Sequence, residues 1–210
     1  MRTETLWTMV PRLVVTAAAL LASAACGSEM LRTGRAPVYL AVDSMIAGSG
    51  TSGSSILRSD VQTLVDSTVN GATVKVSSVS DDVGTATLRV EQKNVTETGS
   101  VSSLNAVTIT RYHVEYRRAD GRNTPGVDVP YAFDGGTSVT INPNASGTVQ
   151  FQIVRHQAKL EPPLKNLSSL GGQVIISTIA EVTFYGRDQN GNEVAVVGYM
   201  DVVFGDFPDA

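Results

Sequence analysis

The stretch "TATLRVEQ" (Thr85 to Gln92) alternates apolar and polar residues without a break, with Ala86, Leu88 and Val90 on one parity and Thr87, Arg89 and Glu91 on the other. A period of two places successive side chains on opposite faces of an extended chain, so this pattern describes a half-buried strand and does not suit a helix face. The period returns in "GTVQFQIVRH", with Val149, Phe151 and Ile153 inward. It returns again in "EVAVVGYMDVVF", where Val194, Val196, Met200, Val202 and Phe204 oppose Glu193 and Asp201. Tyr199 is the exception there, an aromatic on the polar parity. In "AVTITRYHVEYRRA" the apolar parity switches between Ile109 and Tyr112, which predicts a β-bulge near Thr110 and Arg111.

Punctuation between these runs is that of an all-β protein. "PVYLAVDSMIA" (Pro37 to Ala47) reads as the opening strand, followed by a flexible Gly/Ser loop over 48–55. Ile56 to Asn70 carries Leu57, Val61, Leu64 and Val65 at helical spacing and is read as a short helix or irregular crossing. "TSVTINP" and "GTVQFQIVRH" read as a hairpin around Asn144 to Gly147. "DGRNTPG" (Asp120 to Gly126) is turn chemistry, and "LEPPLKNLSSLGG" (Leu160 to Gly172) is a long connection in which Pro162 and Pro163 cannot join a ladder. Asn190-Gly191 predicts a type I′ hairpin, because both central residues of that turn need positive φ. The expected fold is an antiparallel β-sandwich of about eight strands, occupying 37–206 as one domain.

Charged residues make up 17% of the chain, below the usual quarter, and the formal net charge is −4. With no block of Lys and Arg to meet phosphates, nucleic acid is not an expected partner.

The N-terminus reads as an export signal. Arg2 and Arg12 supply positive charge, "LVVTAAALL" (Leu13 to Leu21) is apolar but too short to span a bilayer, and Ser23, Ala24 and Ala25 are small residues suited to a peptidase. The lone cysteine, Cys26, follows directly. "LLASAACG" resembles a bacterial lipobox, with Ser23 standing where that pattern usually carries Leu. The resemblance implies a signal peptide over 1–25, a lipidated Cys26 and a polar tether over 26–36. It further implies a protein exported and held on a membrane, at the periplasm-facing outer membrane or cell surface. Buried acyl chains contribute about 0.8 kcal/mol per methylene, so several of them anchor durably. "AEVTFYGRDQNGNEVAVVGYMDVVF" (Ala180 to Phe204) resembles the last hairpin of immunoglobulin-like and fibronectin-like domains on bacterial surface proteins, without the disulfide and buried Trp of antibody-type domains.

Catalytic chemistry does not stand out. There is no G-x-S-x-G elbow, His113 and His156 sit at outward or boundary positions of strands, and no carboxylates are forced by spacing to face one another. Zinc would need three N or S ligands, and two histidines do not provide them. Asp188, Asn190, Asn192 and Glu193 offer oxygens at alternate positions, as a calcium loop does, yet Asp and Asn are also what a hairpin turn selects. Asp81 and Asp82 would add charge there if the fold brought them close. Asn94, Asn144 and Asn166 head glycosylation sequons that a bacterial lipobox makes coincidental. Tyr112, Tyr116, Arg117 and Arg118 form a recognition strip if exposed and core if not. In the loop from Gly121 to Gly136, Tyr131 and Phe133 would form a binding site if both are exposed, or cap the sandwich if tucked in.

The expectation is a non-enzymatic, lipid-anchored envelope protein without a cofactor, binding or scaffolding other envelope proteins or polysaccharide. The alternative is a small-ligand or calcium-binding module using loop 121–136 or hairpin 188–193. An envelope hydrolase stands third.

Overall fold

A computed structural model of the chain describes residues 35–48, 53–93, 102–168 and 170–208. Cys26, the signal peptide, the tether up to 34 and the centre of the Gly/Ser loop lie outside the described residues. So does Asn94.

Ten strands account for most of the described chain. They are β1 (Val38–Ala47), β2 (Ile56–Asp60), β3 (Thr63–Val69), β4 (Ala72–Ser78), β5 (Asp82–Gln92), β6 (Val107–Arg117), β7 (Phe133–Ile141), β8 (Ser146–Val154), β9 (Ile176–Asp188) and β10 (Glu193–Gly205). One sheet has the order β1-β5-β8, a second the order β2-β10-β9-β6-β7, and β3 and β4 form a two-stranded sheet. All pairings are antiparallel except β2 on β10. The fold is therefore an all-β sandwich, as the period of two predicts, with two strands more than expected. One short helix, α1 (His156–Lys159), follows β8.

The inward parities fill the space between the sheets. Ala86, Leu88 and Val90 of β5 are buried, as are Val149, Phe151 and Ile153 of β8. They face Val107, Ile109, Tyr112, Val114 and Tyr116 of β6 and Val182 and Phe184 of β9. Edge-to-face aromatic contacts run through this layer: Phe151 lies 5.3 Å from Phe184 and 5.7 Å from Tyr112, and Tyr116 lies 5.6 Å from Phe204. Offset geometries of this kind add about 0.5–1.5 kcal/mol per pair beyond area burial. The β6 ladder shifts between Ile109 and Arg111 on both sides, the bulge that the parity switch implies. It turns Tyr112 inward and leaves Arg111 outside.

Three sequence expectations are corrected. Residues 56–60 and 63–69 form strands, not a helix: Leu57 in β2 and Val61 just after it are buried, while Leu64 and Val65 are exposed on a separate hairpin. That hairpin turns at Asn70-Gly71, with φ of 52° and 80°, the two left-handed residues a type I′ turn requires. At Asn190-Gly191, by contrast, only Gly191 has positive φ, 84°, and the connection is a longer loop closed by Asp188 N–H on the Asn192 carbonyl at 2.9 Å. Finally, β7 and β8 do not form a hairpin: they belong to different sheets, and the chain crosses between them through Asn144 with φ 56°. Backbone bonds from Asn144 to the Val90 carbonyl and from Val90 to the Ala145 carbonyl, at 2.7 and 3.1 Å, draw this crossing toward β5.

Gly186 sits where β9 runs against β6, and a Cβ there would come within 2.7 Å of the Thr108 carbonyl oxygen, a backbone atom with no freedom to swing aside. Gly136 faces open space. Gly186→Ala is expected to lower stability by about 1–3 kcal/mol and Gly136→Ala to stay within about 0.5 kcal/mol of the wild type, measured by denaturant unfolding.

Candidate functional site

The bulge at Thr110 gives β6 two different faces. Tyr112 and Tyr116 point into the core, so they are not the recognition strip. The intervening residues Arg111, His113, Glu115 and Arg117 stand on the outer face of the larger sheet. The ladder extends each of them into a row across β9 and β10. Arg111 lies opposite Tyr185 and then Ala195, and His113 opposite Thr183 and then Val197. Glu115 lies opposite Glu181 and then Tyr199. Arg117 lies opposite Ile179 and then Asp201.

Two arginines organise this face. The Arg111 guanidinium sits 3.9 Å from the centre of the Tyr185 ring, a cation–π stack that holds both groups flat, and 3.8 Å from Asp134. Asp134 also lies 3.1 Å from His113 Nδ1. Glu115 and Glu181 are direct cross-strand partners of like charge, a destabilising arrangement on its own. Arg117 lies 3.3 Å from each of them and offsets that repulsion. Beside the clamp, Tyr199 is 64% exposed. Sequence reasoning missed the glutamate pair because residues 115 and 181 meet only through strand register. Both side chains stand on the outer sheet face, joined through Arg117.

The loop after β6 does not present its aromatics together. Phe133 is only 6% exposed, packs edge-to-face on Tyr112 and carries the Arg155 guanidinium 4.3 Å above its ring. Tyr131 is 54% exposed, and its ring lies so close over Gly126 that no Cβ fits there. The loop is held by its own bonds: the Arg118 N–H donates to Asn123 Oδ1 at 2.6 Å and Thr124 N–H to Asp128 Oδ2 at 3.2 Å. Hydrogen bonds from Arg118, then from Arg122, hold the Asp120 carboxyl well below the usual carboxylate range.

At the other candidate, Asp188 is buried and its carboxylate serves the turn. Oδ1 accepts from Asn190 N–H at 3.0 Å and Asn192 N–H at 2.8 Å, and Oδ2 accepts from Asn192 Nδ2 at 2.8 Å. Glu193 accepts from Arg187 at 2.7 Å. Asp81 and Asp82 do not reach this loop. Asp188 pairs with Val107 at one end of β6, while Asp82 pairs with Val154, beside the Ile153 carbonyl to which Tyr116 donates near the other end of β6. Nine residues of strand separate Val107 from Tyr116, about 30 Å at 3.3 Å per residue. Among the described residues no group of three or more His, Cys, Asp or Glu is placed to hold a metal ion.

Asp82 instead forms a buried cluster with Lys159 Nζ at 3.0 Å and Ser59 Oγ at 2.6 Å, joining β5, α1 and β2. Burial pushes the Asp82 carboxyl up from its ordinary value, and the Lys159 ammonium and Ser59 hydroxyl oppose that. His156 lies on the neighbouring Asp81, with Nδ1 at 3.3 Å and its backbone N–H at 2.7 Å from Oδ1.

Compared with protein families and with curated proteins, the chain finds no match. Among solved structures it is similar to the X-ray structure of a Northeast Structural Genomics Consortium target, at 9% identity and a TM-score of 0.34, over 79% of this chain and 86% of that one.

Because three hydrogen bonds converge on the Asp188 carboxylate from within its own loop, Asp188→Ala is expected to lower stability by about 1–3 kcal/mol. The loss should be the same with and without millimolar calcium, read as the shift in melting temperature. A calcium-dependent difference would return the loop to the cation reading.

Proposed function

We propose that the protein is a non-enzymatic, lipid-anchored envelope protein whose sandwich binds a macromolecular partner through the outer face of its larger sheet. The observation that carries this reading is Tyr199, largely exposed next to the Arg117–Glu115–Glu181 clamp, with the Arg111–Tyr185 stack along the same face. Tyr and Arg are the residues most enriched where binding energy concentrates, because they combine large rigid contact area with hydrogen bonding. Here ion pairing and stacking already hold the arginines, so binding orders few side chains anew. The surface is the outer face of a sheet, which suits another protein or an extended polymer better than a small molecule. Its charges are mixed in sign, unlike a phosphate-binding surface.

The anchor is the second part of the proposal and rests on the lipobox resemblance at Cys26. An acylated Cys26 would tether the sandwich through the chain that leads into β1.

Two experiments test the two parts separately. A photo-crosslinking amino acid at position 199 is expected to give a discrete adduct in the intact envelope. The adduct should be lost on Arg117→Ala, and a probe at exposed position 157 should give none; equal labelling from both positions refutes the face. Labelled-lipid incorporation should mark the wild type and spare Cys26→Ser, with the wild type in the membrane fraction. A soluble, unlabelled wild type removes the anchor.

A further inference from the structure

Among the described residues β3 and β4 form a hairpin that no other strand joins, and its two faces differ. In the register Val65↔Val76, Ser67↔Val74 and Val69↔Ala72, one face carries four valines, each 39–51% exposed, and no charge. The other face carries Asp66 and Lys75, opposite each other and 3.4 Å apart. An isolated two-stranded hairpin is marginal in water, and an exposed β-branched face without charge is a surface that proteins normally cover.

We propose that this valine face is a self-association surface, packing against the same face of a second copy of this chain about a two-fold axis. Three observations choose that occupant. Both charges of the arm lie on the opposite face, so two valine faces meet without bringing charges of this acidic chain together. The face is built mainly of small β-branched residues, with no aromatic or long side chain to fill a foreign pocket. Such surfaces interdigitate best with their own kind, as paired sheets do. The area also fits a reversible contact. Four half-exposed valines and their neighbours bury roughly 600–800 Å² over two copies, short of the ~1,200 Å² of stable complexes. The contact is therefore weak in dilute solution and strong only where copies are concentrated.

The arm's position allows this. β4 leads into the Asp82 end of β5, while Val38, where β1 begins, pairs with Gln92 at the opposite end. The base of the arm and the beginning of β1 thus lie about 35 Å apart along β5. The association itself does not rest on the anchor or on the outer-face reading.

The test uses the full chain carrying Cys26→Ser, so that an introduced cysteine is the sole thiol. Ser67→Cys lies at the centre of the valine face and is expected to form a disulfide-linked dimer on mild oxidation, whereas Thr68→Cys on the polar face is expected to remain monomeric. In a sedimentation-velocity concentration series the cysteine-free chain should show reversible monomer–dimer behaviour. Val65→Asp should weaken it about tenfold or more, and Thr68→Asp should leave it unchanged with the same circular dichroism. The proposal is overturned if the two cysteines cross-link equally or if the chain stays monomeric throughout the series. It is equally overturned if Val65 is needed only for binding phosphatidylcholine vesicles.

Discussion

Two tyrosine hydroxyls on β6 hold the sandwich closed. Tyr112 and Tyr116 bury their rings between the sheets and reach across to the backbone of β8 in the opposite sheet. Tyr112 Oη accepts from Gln152 N–H at 3.0 Å, and Tyr116 Oη donates to the carbonyl of Ile153. Ile153 is the residue that the β5–β8 ladder skips, between the pairs Val83↔Gln152 and Asp82↔Val154. A buried carbonyl without a ladder partner costs free energy of the order of a lost hydrogen bond. Tyr116 removes that cost, and burial in turn pushes its own hydroxyl far above the usual phenol range. Polar links of this kind fix which strand faces which, where apolar packing alone tolerates sliding.

From that placement the rest follows. With Tyr112 and Tyr116 facing inward, the alternation of β6 forces His113, Glu115 and Arg117 outward, and the bulge adds Arg111 to the same side. Pairing with β9 then puts Glu115 beside Glu181 and Arg111 on Tyr185, and pairing with β10 brings Tyr199 into the group. The residues that close the core and those proposed to bind a partner are thus alternate positions of one strand. The buried Asp82–Lys159–Ser59 cluster works at the same end as Tyr116, tying the edge strand β2 and helix α1 to β5. Its ions are a constraint on arrangement more than a source of stability, since desolvation offsets most of a buried pair's attraction.

The parts legible in the sequence were those that depend on local alternation. β5 and β8 show their buried faces residue by residue, β10 does so except at the half-buried Val196, and the parity switch at Ile109 to Tyr112 marks the bulge. What failed depended on chain reversal and partner choice. The spacing of Leu57, Val61, Leu64 and Val65 imitates a helix because two short strands, β2 and β3, follow each other with only two residues between them. The type I′ turn lies at Asn70-Gly71, whereas at Asn190-Gly191 Asp188 imposes a different loop. Nothing local distinguishes a hairpin from a crossing between sheets at Asn144, since both need a tight turn. The Glu115–Glu181 pair exists only through register, 66 positions apart.

The most direct test of the division between core and face is to remove one hydroxyl from each. Tyr116→Phe leaves the Ile153 carbonyl buried without its donor and should lower the unfolding free energy by about 1–3 kcal/mol. Tyr199→Phe, exposed on the outer face, should change it by less than about 0.5 kcal/mol. Equal effects, or a larger loss at Tyr199, would contradict the assignment of Tyr116 to the closure of the sandwich and of Tyr199 to its free surface.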